Sequence, residues 1–145
     1  MMKTLLAAVL TLGLAVTPAM ADDDDAPSKG RQKLPELVFG DGAENDFAVS
    51  IKEIEMKPGR ETVLKVTAKG YKEYRLEAPE FYDAIEVYQA VVNDLEIHTR
   101  TLVALEFDDT GTIELEFTPK KPGTYTWVVK GLESKGMTGT FVIED

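Results

Sequence analysis

Apolar and polar residues alternate with a period of two along the C-terminal half of this chain. In Thr112 to Thr118, TIELEFT, the side chains of Ile113, Leu115 and Phe117 fall on one face, and those of Thr112, Glu114, Glu116 and Thr118 on the other. That pattern predicts a strand with one side in a core. Tyr125, Trp127 and Val129 form a second alternating set, and Phe141 and Ile143 a third. Lys57-Pro58-Gly59 and Lys121-Pro122-Gly123 read as turns, each leading into a β-branched or aromatic run, TVLKV and TYTWVV. Asp109-Thr110-Gly111 is placed to turn LVALEF into TIELEF as a hairpin. Pro79 to Ile97, PEFYDAIEVYQAVVNDLEI, is mixed: Ile85, Tyr88 and Val92 fit a helical stripe, while Val87 and Val91 add strand propensity. Strands with Asn93-Asp94 as their turn are the favoured reading. Short strands at intervals of roughly eight to twelve residues predict an all-β sandwich or barrel.

The first residues follow a different pattern. Lys3 precedes an apolar run from Leu5 to Val16, and Ala19-Met20-Ala21 is followed at once by acid. A basic start, a short apolar stretch and a small-x-small site predict a cleavable secretory signal peptide over residues 1–21. Asp22 to Lys33, DDDDAPSKGRQK, reads as a solvated leader, and Leu34 to Asp46, with Pro35, Gly40 and Gly42, as a transition. The predicted organisation is therefore a signal peptide at 1–21, a disordered or transitional leader at 22–46, and one domain at 47–145. The expected location is the bacterial periplasm.

Composition narrows the chemistry. Without the leader peptide the chain keeps 15 basic and 26 acidic residues, a net charge of −11. Phosphate would be repelled, which argues against nucleic acid and anionic lipid and is compatible with cations or a basic partner. There is no Cys, so neither disulfides nor thiol redox chemistry is available. With one His and no Cys, the known nucleophilic triads are excluded. His98 alone is expected on the surface, because metal sites need convergent ligands.

The segment Gly123-Thr-Tyr-Thr-Trp-Val-Val-Lys-Gly-Leu-Glu-Ser-Lys-Gly-Met-Thr-Gly139 resembles the G-x-Y-x-[FW]-x-C-x-x-H-x-x-x-x-M-x-G closing strands of cupredoxins, the small blue-copper sandwich proteins. The resemblance runs from about Phe47 to Asp145 and implies a Greek-key β-sandwich. Val129 stands at the Cys position, Leu132 at the His position, and Met137 at the axial thioether position. A type 1 copper site needs a thiolate and two imidazoles, with the thioether as a long fourth contact. The resemblance therefore implies the fold without a type 1 copper centre, with Val129 and Leu132 packing the vacated loop. Glu73-Tyr74, Pro122-Gly123-Thr124-Tyr125 and the Gly136-Met137-Thr138-Gly139 close also look like cupredoxin-domain components of bacterial periplasmic iron-uptake systems. In those proteins a Glu in an E-[WFY] pair takes the first ligand position. That likeness implies iron or copper as the metal, and a periplasmic iron-binding protein and a membrane permease as partners.

The candidate metal ligands are Glu73, Glu133 and Met137, with Glu77 and Glu80 near in sequence. Carboxylates with one thioether suit iron or loosely held copper. Against this, Met137 serves equally as an adaptable apolar plug, and the glutamates as solvated charges. Two functions follow. One is a metal-handling accessory that at most assists Fe(II) oxidation beside a partner. The other is a non-metal interaction module; Phe81, Tyr82 and Tyr88 are core by default and become its docking surface if several are exposed together.

Overall fold

The computed structural model describes residues 30–145, so the predicted signal peptide and the Asp22–Asp25 run lie outside the described residues. The chain folds into two β-sheets packed face to face. One contains β1 (Gln32–Lys33), β2 (Leu37–Phe39), β4 (Thr62–Ala68), β6 (Ile85–Val92), β7 (Leu95–His98) and β9 (Gly111–Pro119). The other contains β3 (Glu53–Met56), β5 (Tyr74–Glu77), β8 (Leu105–Phe107), β10 (Gly123–Val129) and β11 (Thr138–Ile143). Their orders are β1-β4-β9-β6-β7, with β2 also on β4, and β3-β11-β10-β5-β8. Neighbours in sequence often lie in opposite sheets, as the sandwich expectation requires.

The period-two reading holds at the core. Leu115 and Phe117 on β9, Trp127 and Val129 on β10, and Phe141 and Ile143 on β11 are all buried. Three expectations are corrected. Asp109-Thr110-Gly111 does not make a hairpin: β8 pairs with β5 in one sheet, and β9 pairs with β4 and β6 in the other. The turn carries the chain across the sandwich, since the short β8 finds its partner in β5 and leaves the long β9 to the facing sheet. Pro79 to Tyr82 form a helical turn, α1, before the strands begin. Pro at its start suits the first helical position, where no N–H is needed. The turn drives Phe81 between the sheets, stacked on Phe141 at 4.3 Å and edge-on to Phe117 at 5.7 Å. Phe81 and Tyr82 are therefore core, not a docking patch; the Tyr82 hydroxyl donates to the Leu76 carbonyl at 3.0 Å.

The third correction concerns the leader. Residues 32–39 belong to the sandwich: β1 and β2 run parallel to β4 along its outer edge, and Leu37 and Phe39 are fully buried. Their apolar side chains complete a sheet whose other strands lie far ahead in sequence, so no local pattern marks them. The predicted Asn93-Asp94 turn is present, with positive φ at both residues (50° and 61°) joining β6 to β7. That is the two-residue hairpin geometry matched to strand twist.

Candidate functional site

The end of the five-stranded sheet that holds the closing loop is built from carbon. Val129 and Met137 are fully buried and Leu132 is half-buried against the core. Backbone bonds close the loop: the Val129 N–H donates to the Met137 carbonyl (2.9 Å) and the Leu132 N–H to the Val129 carbonyl (2.9 Å). The turn Glu133–Lys135 is a single 3₁₀ helix ended by Gly136 at φ 86°, a conformation that Gly adopts without a Cβ penalty. The Lys52 ammonium donates to the Gly136 carbonyl and ties the loop to the segment before β3. Next to the loop, Gly139 lies so close to Trp127 and the Lys52 carbonyl that a Cβ would overlap both. None of Val129, Leu132 or Met137 carries a nitrogen or oxygen donor in its side chain. His98 sits elsewhere, on β7 at the edge of the other sheet.

Glu73 stands just before β5, and Asp108 just after β8. These strands are antiparallel, with Tyr74 opposite Phe107 and Arg75 opposite Glu106. One further step of that register sets Glu73 opposite Asp108. Tyr74, Leu76, Leu105 and Phe107 point into the core, so the alternate side chains at 73, 75, 106 and 108 share the outer face. Carboxylate oxygens of Glu73, Glu106 and Asp108 all lie within 4.8 Å of one another, and all three residues are exposed. Arg75 balances part of this charge, donating to Glu106 at 2.7 Å and to Glu77 at 2.7 Å. Lys72 and Lys135 instead flank the ring of Phe47, at 5.9 and 5.4 Å from its centre.

The electrostatics follow from this crowding. A hydrogen bond with Glu106, then the charges of Asp108 and Glu106, hold the Glu73 carboxyl above its ordinary range. Glu77 shifts the other way, lowered chiefly by its hydrogen bond from Arg75. Three oxygen donors at such spacing suit a hard cation rather than Cu(I).

Of the three residues expected as ligands, Glu73 gains two carboxylate neighbours. Met137 lies inside the sandwich, behind the sheet whose outer face carries Glu73, and is not part of that group. Glu133 is exposed on the 3₁₀ turn and is not part of it either. Glu106 and Asp108 were missed by sequence reasoning. Their alternation in LEFDD marks an outward face, but only the pairing of β8 with β5 brings that face to Glu73.

No family model matches the chain, and no curated protein matches it in sequence. Solved structures do match in shape. They include the multicopper oxidase of Campylobacter jejuni, a metallo-oxidase, at TM-score 0.50 and 12% identity over 97% of this chain and 34% of that one. A second is the dithionite-reduced auracyanin of the photosynthetic bacterium Roseiflexus castenholzii, at TM-score 0.50 and 16% identity over 76% of this chain and 95% of that one. A third is another multicopper oxidase, at TM-score 0.52 and 9% identity over 82% and 45%. The chain thus spans about a third of the Campylobacter oxidase and nearly all of the auracyanin. With the two-sheet topology, these likenesses establish that the chain has a cupredoxin-like fold.

Proposed function

We propose that this protein is a periplasmic accessory of metal uptake, built on a cupredoxin-like sandwich without a type 1 copper centre. It holds a hard divalent cation, iron first and copper second, through exposed carboxylates. The supporting observation is the convergence of Glu73, Glu106 and Asp108 on one outer sheet face. Glu73 is also the residue that the sequence resemblance to iron-uptake components singles out. Type 1 copper does not fit the closing loop, where Val129 and Leu132 offer no lone pair and Met137 would be the sole donor. Three solvent-exposed carboxylates hold an ion more loosely than an enclosed site would, which suits passing a metal between a periplasmic iron-binding protein and a permease. Glu106 and Asp108 favour the protonated form of Glu73, so protons compete with the ion there and affinity falls as pH falls.

Calorimetric titration with Fe(II) under anaerobic conditions, and with Cu(II), tests this reading. One-to-one binding that weakens more than about tenfold in a Glu73→Gln, Asp108→Asn variant is expected, since two of three ligands lose their charge. Heats unchanged by that variant would sink it. The second reading, a non-metal interaction module, draws on the exposed Leu95 and Ile97 of β7.

A further inference from the structure

β7 closes one end of the six-stranded sheet, and among the described residues only β6 pairs with it. Leu95 and Ile97 on this strand are 70% and 55% exposed. An exposed edge that carries apolar side chains invites pairing, and proteins blunt such edges with short strands, charged side chains or Pro. Here no Pro occurs, and the charges along Asp94-Leu-Glu-Ile-His-Thr-Arg100 change sign from one end to the other.

The backbone decides which groups are free. In a two-residue hairpin the residues flanking the turn, Val92 and Leu95, are a hydrogen-bonded pair, and such pairs recur at every second position. Ala90 and Ile97 are the next such pair. The Thr99 N–H donates to the Tyr88 carbonyl at 3.2 Å, which continues the same alternation. Residues 95, 97 and 99 therefore spend their backbone groups on β6, while the N–H and C=O of Glu96 and His98 point to the open edge.

We infer that this edge pairs with the same edge of a second copy, antiparallel about a two-fold axis at Ile97. In that register Glu96 lies opposite His98 of the other copy and exchanges both backbone hydrogen bonds with it, twice by symmetry. Asp94 lies opposite Arg100, and Ile97 opposite Ile97. A register centred on Glu96 sets two glutamates face to face, and one centred on His98 opposes two histidines. Of these registers only the Ile97-centred one sets each carboxylate opposite a nitrogen base, Glu96 to His98 and Asp94 to Arg100, so the segment is complementary to itself, as an isologous interface requires. Leu95 and Ile97 of both copies form one apolar row over four backbone hydrogen bonds. Among the described residues, β1 stands at the opposite edge of this sheet.

An interface of one short strand is small, so the dimer is weak and forms reversibly. The formal net charge of −10 opposes it at long range, a repulsion largely screened beyond about 8 Å at physiological ionic strength. Sedimentation velocity of the purified protein, from ~5 μM to ~500 μM, is expected to show a monomer passing to a dimer by mass action. Ile97→Lys sets two ammonium groups on the axis and is expected to raise the dissociation constant more than about tenfold. Glu96→Lys and His98→Glu each weaken the dimer, and the double variant restores it. Amide hydrogen exchange at Glu96 and His98 slows at high concentration, while the exposed amides of the 41–46 loop do not change. A monomer at every concentration overturns the proposal, and with it leaves the edge to an unlike partner. A dimer indifferent to Ile97→Lys, a double variant as weak as the singles, or unchanged exchange at Glu96 and His98 does the same. Thermal melts of each variant keep a folding defect from passing as lost pairing.

Discussion

A thioether can serve as a ligand or as a filler, and Met137 has the surroundings of a filler. It is fully buried, its backbone carbonyl accepts from Val129, and the group formed by Glu73, Glu106 and Asp108 lies on the outer face of the sheet. Met137→Leu conserves volume and should cost less than about 1.5 kcal/mol, with metal titration unchanged; a Met137→Ala cavity should cost about 2–5 kcal/mol. Chemical denaturation and calorimetry on the same variants check both. Glu73 behaves oppositely. Its carboxyl is held above the ordinary range by Glu106 and Asp108, so the folded state keeps a proton that the unfolded chain has already released. Folding stability therefore falls as pH rises from the ordinary glutamate range through the raised one, and the repulsion is complete above it. Glu73→Gln should melt at a higher temperature than the parent at neutral pH and show no advantage at a pH low enough to protonate both states. An advantage that persists there would assign the effect to something other than charge. Trp127 differs again. Its Nε1 is buried without a protein partner among the described residues, so Trp127 contributes packing rather than a hydrogen bond.

At the scale of elements, local chemistry was readable where it is local. The alternation of Ile113, Leu115 and Phe117 located β9, and Asn93-Asp94 located the β6–β7 turn, because side-chain parity and turn preference act over a few residues. The destination of a strand is not local. Asp109-Thr110-Gly111 supports a hairpin as well as a crossover, and the choice is made by β5, which pairs with β8. The same pairing created the carboxylate group, which is why only Glu73 of its three members was anticipated. The turn at 93–94 also gives a quantitative test. Asp94 holds φ at 61°, where a Cβ is strained and Gly is not. Asp94→Gly should stabilise the monomer by several tenths to about 1 kcal/mol, read from melting at concentrations too low for edge pairing. A loss of stability would mean that the Asp side chain contributes more than its backbone strain removes.

For the whole molecule the question is where the folding unit begins. A domain starting at Phe47 would still contain the turns, the closing loop and the outer-face carboxylates. It would lack β1 and β2, whose two- and three-residue lengths and interrupting Pro35 gave no periodic pattern to find. Yet Leu37 and Phe39 are as buried as any residue in the protein, and Phe39 packs against both Tyr74 (5.6 Å) and Trp127 (6.1 Å). Phe39 therefore joins the N-terminal edge to the start of β5, next to Glu73, and to β10. The Gly40–Gly70 contact beside it is so close that a Cβ on Gly40 would overlap the Gly70 backbone, and the Tyr74 hydroxyl donates to the Asp46 carbonyl at 2.8 Å. Phe39→Ala should then cost about 3–5 kcal/mol, a large share of the roughly 5–15 kcal/mol that a domain of this kind has in total. A chain truncated to residue 47 loses that contact, Leu37 and the cover on the β4 edge together, and is expected to be unfolded or aggregated. Near-ultraviolet circular dichroism of the truncated chain distinguishes the outcomes: a native aromatic signal would place the folding unit entirely after Asp46, and its loss would place the N-terminal strands within it. Because Tyr74 adjoins Glu73, Phe39→Ala should also loosen the carboxylate group, weakening metal binding through a residue that touches no ligand.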